Sequence, residues 1–432
     1  MLDFSHRSTR GLAMASLLSL SLLTAVACDP NAAGMEEYTG EETAPTTAEE
    51  IASEVPGGSI EANSDETPAA ANGELAQDMA SEPDVTTQAL PSGMRTVAQW
   101  ETLFLGRWNT EHTGDFLPKS KSLDSWQFYN LAYGIDGNTA MYRATGKTQY
   151  LDRALLYVNN VVANAKVSSS LPRSQYKDSY LGWASARSDT LGQEVPLFES
   201  YCWRYVTRLL RVIRETPALY GNATYRSQYD RLLAFTERNM FEKWLKRGAN
   251  ANIYRVNTHM ASHWAYMAMD LSRMTTDATK KATYLTVFNN INRKLPNYST
   301  GLRGQMRTSP INATAYYWDD NWGSIARPGQ DVAHGNGVMA YIVEARDAGM
   351  EWTDTDIRAF TATLNSVIWP SASRYAAYVD GSGSGTGWFN DGLMKLGRYN
   401  AALQKRLEAH GVGRNTQYYG NGALNARILS GT

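Results

Sequence analysis

The sequence predicts an all-α domain in which helical hairpins close into an (α/α) toroid, an incomplete or six-hairpin barrel, preceded by a disordered tether. Three observations predict it. Apolar residues recur at helical spacing through most of the chain beyond Val97, strand-like alternation is scarce, and a unit of long helix, turn and second helix repeats with irregular period. Repeats so unequal in length, each with its own aromatic loops, suit a ring better than a regular solenoid.

The hairpins follow in order along residues 93–432, read as one domain. Tyr129 to Ala144 is an apolar-periodic helix that stops at Gly146, and Gln149 to Val162 is its return. Glu199 to Glu215 is followed by the breakers Pro217 and Gly221, and Tyr225 to Glu237 begins the next helix. Met260 to Met274 breaks at Thr275 to Asp277 before Ala282 to Ile291. Val338 to Asp347 stops at Gly349 before Asp354 to Val367.

The N-terminus reads as an address. His6, Arg7 and Arg10 precede an apolar stretch from Gly11 to Ala27 that is short for a membrane span, and small residues then lead into Cys28. Residues 1–27 resemble a bacterial lipoprotein signal, which implies export and lipidation of Cys28; an ordinary secretory signal is the alternative. The second cysteine, Cys202, reads as a small buried hydrophobe, so no disulfide framework is expected.

Residues 28–92 read as the tether. They hold fifteen acids and no base, with almost no aromatics, and cannot bury enough apolar surface to fold. The near-neutral total of −2 therefore hides an asymmetry: beyond residue 92 stand 39 basic against 27 acidic residues, a formal +12. A cationic exported domain attracts polyanions, and uronic-acid polysaccharides are the expected partner. Nucleic acid is not expected, since no helix-turn-helix, zinc-finger or RNA-binding signature occurs. The expected contact with a membrane is the lipid on Cys28, and nothing in the sequence speaks to oligomeric state.

Three of the six histidines lie in two short polar segments. Asn257, His259, His263 and Trp264 form one; Asp331, His334, Asn336 and Gly337 form the other. Imidazole titrates near neutrality, so such clusters suggest acid/base chemistry. On a helix His259 and His263 share a face, while Asn257 diverges and belongs to the preceding turn. Asp331 either fixes the tautomer of His334 or only caps its helix.

The hairpin around Gly146, Lys147, Thr148, Tyr150 and Asp152, with Asn, His, Trp and Tyr gathered at loop ends, resembles the catalytic domains of α/α-toroid polysaccharide lyases, the alginate, hyaluronate and heparin lyases among them. The likeness covers about residues 97–429. It implies an Asn and a His at one helix end, matched by Asn257 with His259 or His263, and a Tyr and an Arg from later segments, matched by Tyr316 or Tyr317 and by Arg327. The alginate lyases keep Asn and His adjacent and follow them closely with an aromatic pair, whereas Thr258 intervenes here and Trp264 follows the second His.

The chemistry explains these residue types. β-Elimination removes the proton beside a uronate carboxylate, and hydrogen bonds from Asn257 and Arg327 would stabilise the developing enolate. His263 is the expected base and Tyr317 the expected proton donor, with His334 a second base or a carboxylate binder. Trp126, Tyr133, Trp264, Tyr316, Trp318, Trp322 and Trp388, with Asp331 and Asn336, are the expected sugar contacts, since pyranose C–H faces pack on aromatic rings. Gly381, Gly383, Gly385 and Gly387 give a loop without the Lys-Ser/Thr ending of a phosphate loop.

No cofactor is expected. Two histidines four apart could chelate a divalent metal, but Met260 stands where a zinc protease needs Glu, and no further ligand spacing supports a metal. Two other readings remain. Glu194, Glu199, Asp319, Asp320 and Asp331 could furnish the carboxylate pair of an inverting glycoside hydrolase, or the chain could be a non-catalytic glycan-binding envelope lipoprotein.

Overall fold

The computed structural model describes residues 90–323 and 329–431. The expectations for residues 1–89, Cys28 included, and for Arg327 lie outside the described residues.

The fold is all-α, and sequence-local signals set its helix ends. Helix α1, Val97–Glu111, starts in a capping box between Thr96 and Gln99. Helix α2, Phe128–Thr145, stops where Gly146 turns left-handed at φ 75°, and α3, Gln149–Ala163, returns beside it. The two-residue strands β1, Lys166–Val167, and β2, Leu181–Gly182, pair antiparallel in the following loop. Helix α4, Pro196–Glu215, opens on proline, and α5, Ala223–Thr236, is capped by Asn222.

Helix α6, Thr258–Met274, follows Asn257, and α7, Ala278–Arg293, is capped by Asp277. Strands β3, Arg307–Thr308, and β4, Tyr316–Tyr317, form a second antiparallel pair. Helix α8, Val332–Asp347, is capped by Asp331, and α9, Asp354–Ala362, starts in a capping box between Thr353 and Asp356 and widens into a π-turn over Thr363–Ile368. A 3-10 segment, Leu393–Tyr399, precedes α10, Ala401–Ala409, and α11, Thr416–Leu429.

Packing follows a simple succession. Helix α2 packs on α4, α4 on α6, α6 on α8, α8 on the 3-10 segment, that segment on α11, and α11 on α2. Helices α3, α5, α7 and α1 pack behind α2, α4, α6 and α11, and α10 behind the 3-10 segment. The contact of α2 with α11 depends on glycine: a Cβ on Gly137 would come within 2.7 Å of the Thr416 carbonyl oxygen.

The facing sides of these inner elements are charged as well as apolar. Arg204, Arg208 and Arg211 lie on one face of α4, all buried. Arg204 meets Asp391 at 2.6 Å, Arg208 meets Glu344 at 2.5 Å, and Arg211 meets Asp270 at 2.9 Å. Arg398 reaches Glu344 at 3.0 Å, while Asp136 of α2 accepts from Lys395, Gln417 and Asn421. An unpaired buried charge is costly, so this alternation of sign is what lets the charges stay inside. Cys202 is buried and unbridged, and burial pushes its thiol up.

Candidate active site

Three extended segments are tied around the N-terminal ends of α6 and α8. The Thr258 main-chain N–H donates to the Asp320 carbonyl at 2.6 Å and its hydroxyl to the Asp319 carbonyl at 2.8 Å. The Gln330 N–H donates to the Trp318 carbonyl at 3.0 Å, the Val332 N–H to the Ala377 carbonyl at 2.8 Å, and the Val379 N–H to the Gln330 carbonyl at 2.9 Å. Asn257, in extended backbone before α6, donates its amide to Asn321 at 3.2 Å. Segments distant in sequence thus reach one end of the bundle.

The two histidine segments meet there. The ring of His259, in the first turn of α6, stacks on that of His334 in the first turn of α8, with centroids 4.2 Å apart and planes 27° apart. His259 is buried, and its Nδ1 has no hydrogen-bond partner among the described residues. Burial first, and then the neighbouring His334, hold its pKa well below the usual imidazole value. His263 lies one turn further along, 6.3 Å from His259 by ring centroids and only 1% exposed, with Nδ1 3.4 Å from the Ser200 hydroxyl. Burial, then the Arg204 charge, lower its pKa as well.

His334 is the exposed member. Its Nδ1 lies 2.8 Å from one carboxylate oxygen of Asp331, while its main-chain N–H donates to the other at 2.9 Å. Asp331 therefore both caps α8 and orients the ring, combining the two roles that the sequence left open. Burial alone would raise the Asp331 carboxyl, but the hydrogen bond and charge of His334 outweigh it and hold the group well below the usual carboxylate range. With Nδ1–H donated to the carboxylate, the lone pair of a neutral ring is on Nε2.

An aromatic row adjoins the histidines. Tyr201 of α4 stands edge-on to His263 at 5.4 Å and stacks on Tyr129 at 4.3 Å. Trp126 continues the row at 4.9 Å from Tyr129, under the Arg187 guanidinium at 4.5 Å. Tyr133 bridges Tyr201 at 6.4 Å and Trp388 at 6.0 Å, and burial pushes its hydroxyl up to about 12. Trp126, Tyr133 and Trp388 are thus brought together, and Tyr201 joins them to the histidines.

Other expected sugar contacts occupy different places. Trp264 and Trp318 have no exposed surface; they pack on Phe241 and Phe360 in the core. Trp322 is buried with its indole N–H donated to the Arg255 carbonyl, and Tyr316 packs on Phe360. Asn336 is buried and braces α8: its amide donates to the Val332 and Trp388 carbonyls, and its oxygen accepts from the Gly392 and Leu393 N–H groups. Tyr317 is buried in β4, with the Arg307 guanidinium 5.5 Å over its ring.

The carboxylates divide the same way. Glu194 accepts from Ser168, Ser174 and Arg247, and Glu199 from Lys243 and Trp244; both are buried beneath the loop that carries β1 and β2. Asp319 is paired with Arg307. Asp320 differs: burial, and also the charge of Asp331, raise its carboxyl. Stacked imidazoles present faces to each other, so His259 and His334 do not aim lone pairs at one point, and no cluster of three metal-binding side chains occurs among the described residues.

Tyr201 and Arg204 are the parts that the sequence did not single out here, whereas Asp320 was named only as a candidate hydrolase carboxylate. The available signal was the spacing of Arg204, Arg208 and Arg211 on an otherwise apolar helix. A depression lined by Ser272, Arg273, Lys281, Leu285 and Met350 lies at the opposite end of α6 and is not part of this arrangement.

No protein-family model matches the chain, and no curated protein matches it. Among solved structures it is similar to one described as a polysaccharide lyase, at 13% identity over 77% of this chain and 96% of that chain, with a TM-score of 0.39. A likeness that distant does not place the chain in a family.

Proposed function

We propose that the chain is an exported, lipid-anchored enzyme that cleaves a uronate-containing polysaccharide by β-elimination, and that its succession of inner and outer helices is an (α/α) toroid. The observation that carries this reading is the stack of His259 on His334, which joins the two polar segments at one end of the bundle. Export and lipidation at Cys28 rest on the leader's sequence, and an acidic polymer is favoured by the +12 charge beyond residue 92.

In this reading His334 is the base. Asp331 keeps the Nδ1 proton in place, and Nε2 takes the proton beside the uronate carboxylate. The electron pair of that C–H bond becomes the new C=C bond as the glycosidic C–O bond breaks, and the departing oxygen takes a proton from a tyrosine hydroxyl or from water. Asn257 stabilises the carboxylate as enolate character develops, a role that Arg327 would share. His259, kept neutral by burial, supports the His334 ring without placing a cation against it. The row from Trp126 to Trp388 offers ring faces to the sugar chain.

The test is direct. Incubation of the protein with alginate, hyaluronate, heparin, pectate and glucuronan should give, with one of them, the ultraviolet absorbance of an unsaturated uronate. New reducing ends without that absorbance would instead favour the glycoside-hydrolase reading, and the anomeric configuration of the product would test inversion. That reading keeps one specific support, the raised Asp320 carboxyl beside the ionised Asp331.

A further inference from the structure

A cationic rim borders the aromatic row where the described chain begins. Arg95, Arg406 and Arg414 donate to main-chain carbonyls: Arg95 to Glu408 at 2.6 Å, Arg406 to Asn365 at 3.1 Å, and Arg414 to His410 and Glu408. A carbonyl accepts a hydrogen bond without cancelling the charge. Lys405 is exposed and adds a fourth cation, its Nζ 3.2 Å from where a Cβ on Gly93 would lie. The carboxylate among them, Glu408, is buried and accepts the main-chain N–H of Arg95 at 3.0 and 3.1 Å.

The rim is continuous with the candidate site. Arg414 follows Gly413, whose carbonyl accepts from Asn390 and where a Cβ would stand 2.8 Å from the Trp388 ring. From Trp388 the rings of Tyr133 and Tyr201 lead to His263. The segment that enters the domain at Leu90, beside Arg95, carries fifteen acids and no base over residues 28–89. Its length suffices, since even a random coil of about sixty residues spans on the order of 40 Å.

We propose that the acidic segment 28–89 docks in cis on the rim formed by Arg95, Lys405, Arg406 and Arg414, and competes there with an anionic polymer. Covalent attachment gives the segment an effective concentration in the millimolar range, so weak charge pairing holds a large fraction docked at low salt. A polyanion with many charges displaces it. The docking follows from charge and connectivity alone; only the identity of the competing polymer rests on the proposed function.

Zero-length carbodiimide coupling of the full chain, read by peptide mass spectrometry, tests the docking. Amides between Lys405 and the carboxylates of residues 36–66 should outnumber those to the exposed lysines Lys121, Lys166 and Lys294, and should vanish at high salt. Arg414→Lys should add a second reporter with the same behaviour. Equal yields at all these lysines, or none from residues 36–66, would overturn the proposal. Heparin in excess should suppress the Lys405 amides whether or not the protein has lyase activity. Amides unchanged at saturating heparin would overturn the competition.

Discussion

The imidazole of His259 stacks on that of His334 at 4.2 Å, joining the first turn of α6 to the first turn of α8. One ring is buried and the other is exposed and tied to Asp331. Neither ring alone would define a site. Together they place a solvent-facing imidazole on a support that burial keeps uncharged.

The Asp331 pair can be divided by substitution. Asp331→Asn keeps a good helix cap but removes the anion that orients His334, so stability should hold while turnover falls by about 10²-fold or more. Asp331→Ala should lose the cap too, at about 1 kcal/mol. Denaturant midpoints and initial rates on the polymer identified by absorbance would separate the effects. An Asn variant that is destabilised yet fully active would leave Asp331 only its capping role.

Stability should fall on the acid side of neutrality. His259 and His263 are neutral when folded, with pKa values held below the unfolded value, so the unfolded chain binds more protons once the pH drops below about 6.5. Stability is therefore full above that pH and is lost as pH falls towards the folded values, at up to about 1.4 kcal/mol per pH unit for each histidine. Asp331, whose pKa is also depressed, adds a further loss below about pH 4. Denaturation of wild type and His263→Asn between pH 7.5 and 5, a range chosen at roughly one unit or more on either side of the free imidazole pKa, should show a shallower slope for the variant. Equal slopes would mean that His263 is not held neutral.

These features differ in how readily the sequence revealed them. Helix limits were legible because local chemistry writes them: Gly146 must turn left-handed, and Asp277 and Asp331 cap the helices that follow. The polar starts of α6 and α8 were legible as helix ends for the same reason, and the structure brings their histidines together. Trp264 and Trp318 were not legible as core, because adjacency in sequence to His263 or Tyr317 does not mean a shared direction. A helix turns about 100° per residue, so Trp264 points away from the His263 side, while Trp318 follows β4 and packs on Phe360. The charged interior was hidden for another reason: Arg204, Arg208 and Arg211 find partners on α6, on α8 and at Asp391, and a linear pattern does not show them.

The Arg204 and Asp391 pair should behave as a buried ion pair. Asp391→Ala leaves the buried guanidinium without its carboxylate and should destabilise the fold by about 3–5 kcal/mol, whereas replacing both residues by apolar ones of similar volume should recover much of that loss. Arg204 also donates to the Gly337 carbonyl, so the single variant should disturb the base of the site as well. Urea unfolding of the two singles and the double measures the coupling. Additive losses would show that the two charges do not depend on each other.

Core and cleft aromatics should separate cleanly. Trp264→Ala removes a fully buried ring and should cost about 3–5 kcal/mol. Trp126 is only half-buried, at the end of the row under Arg187, so Trp126→Ala should leave most of the stability in place and raise KM for a long polymer more than for a short oligosaccharide. The ring is linked to His263 through Tyr129 and Tyr201, three ring contacts along the row. Chain length thus enters the prediction: the loss should appear only once the substrate is long enough to span the row. Equal KM changes for long and short substrates would remove Trp126 from the binding surface and leave it a packing role against Phe198 and Tyr129.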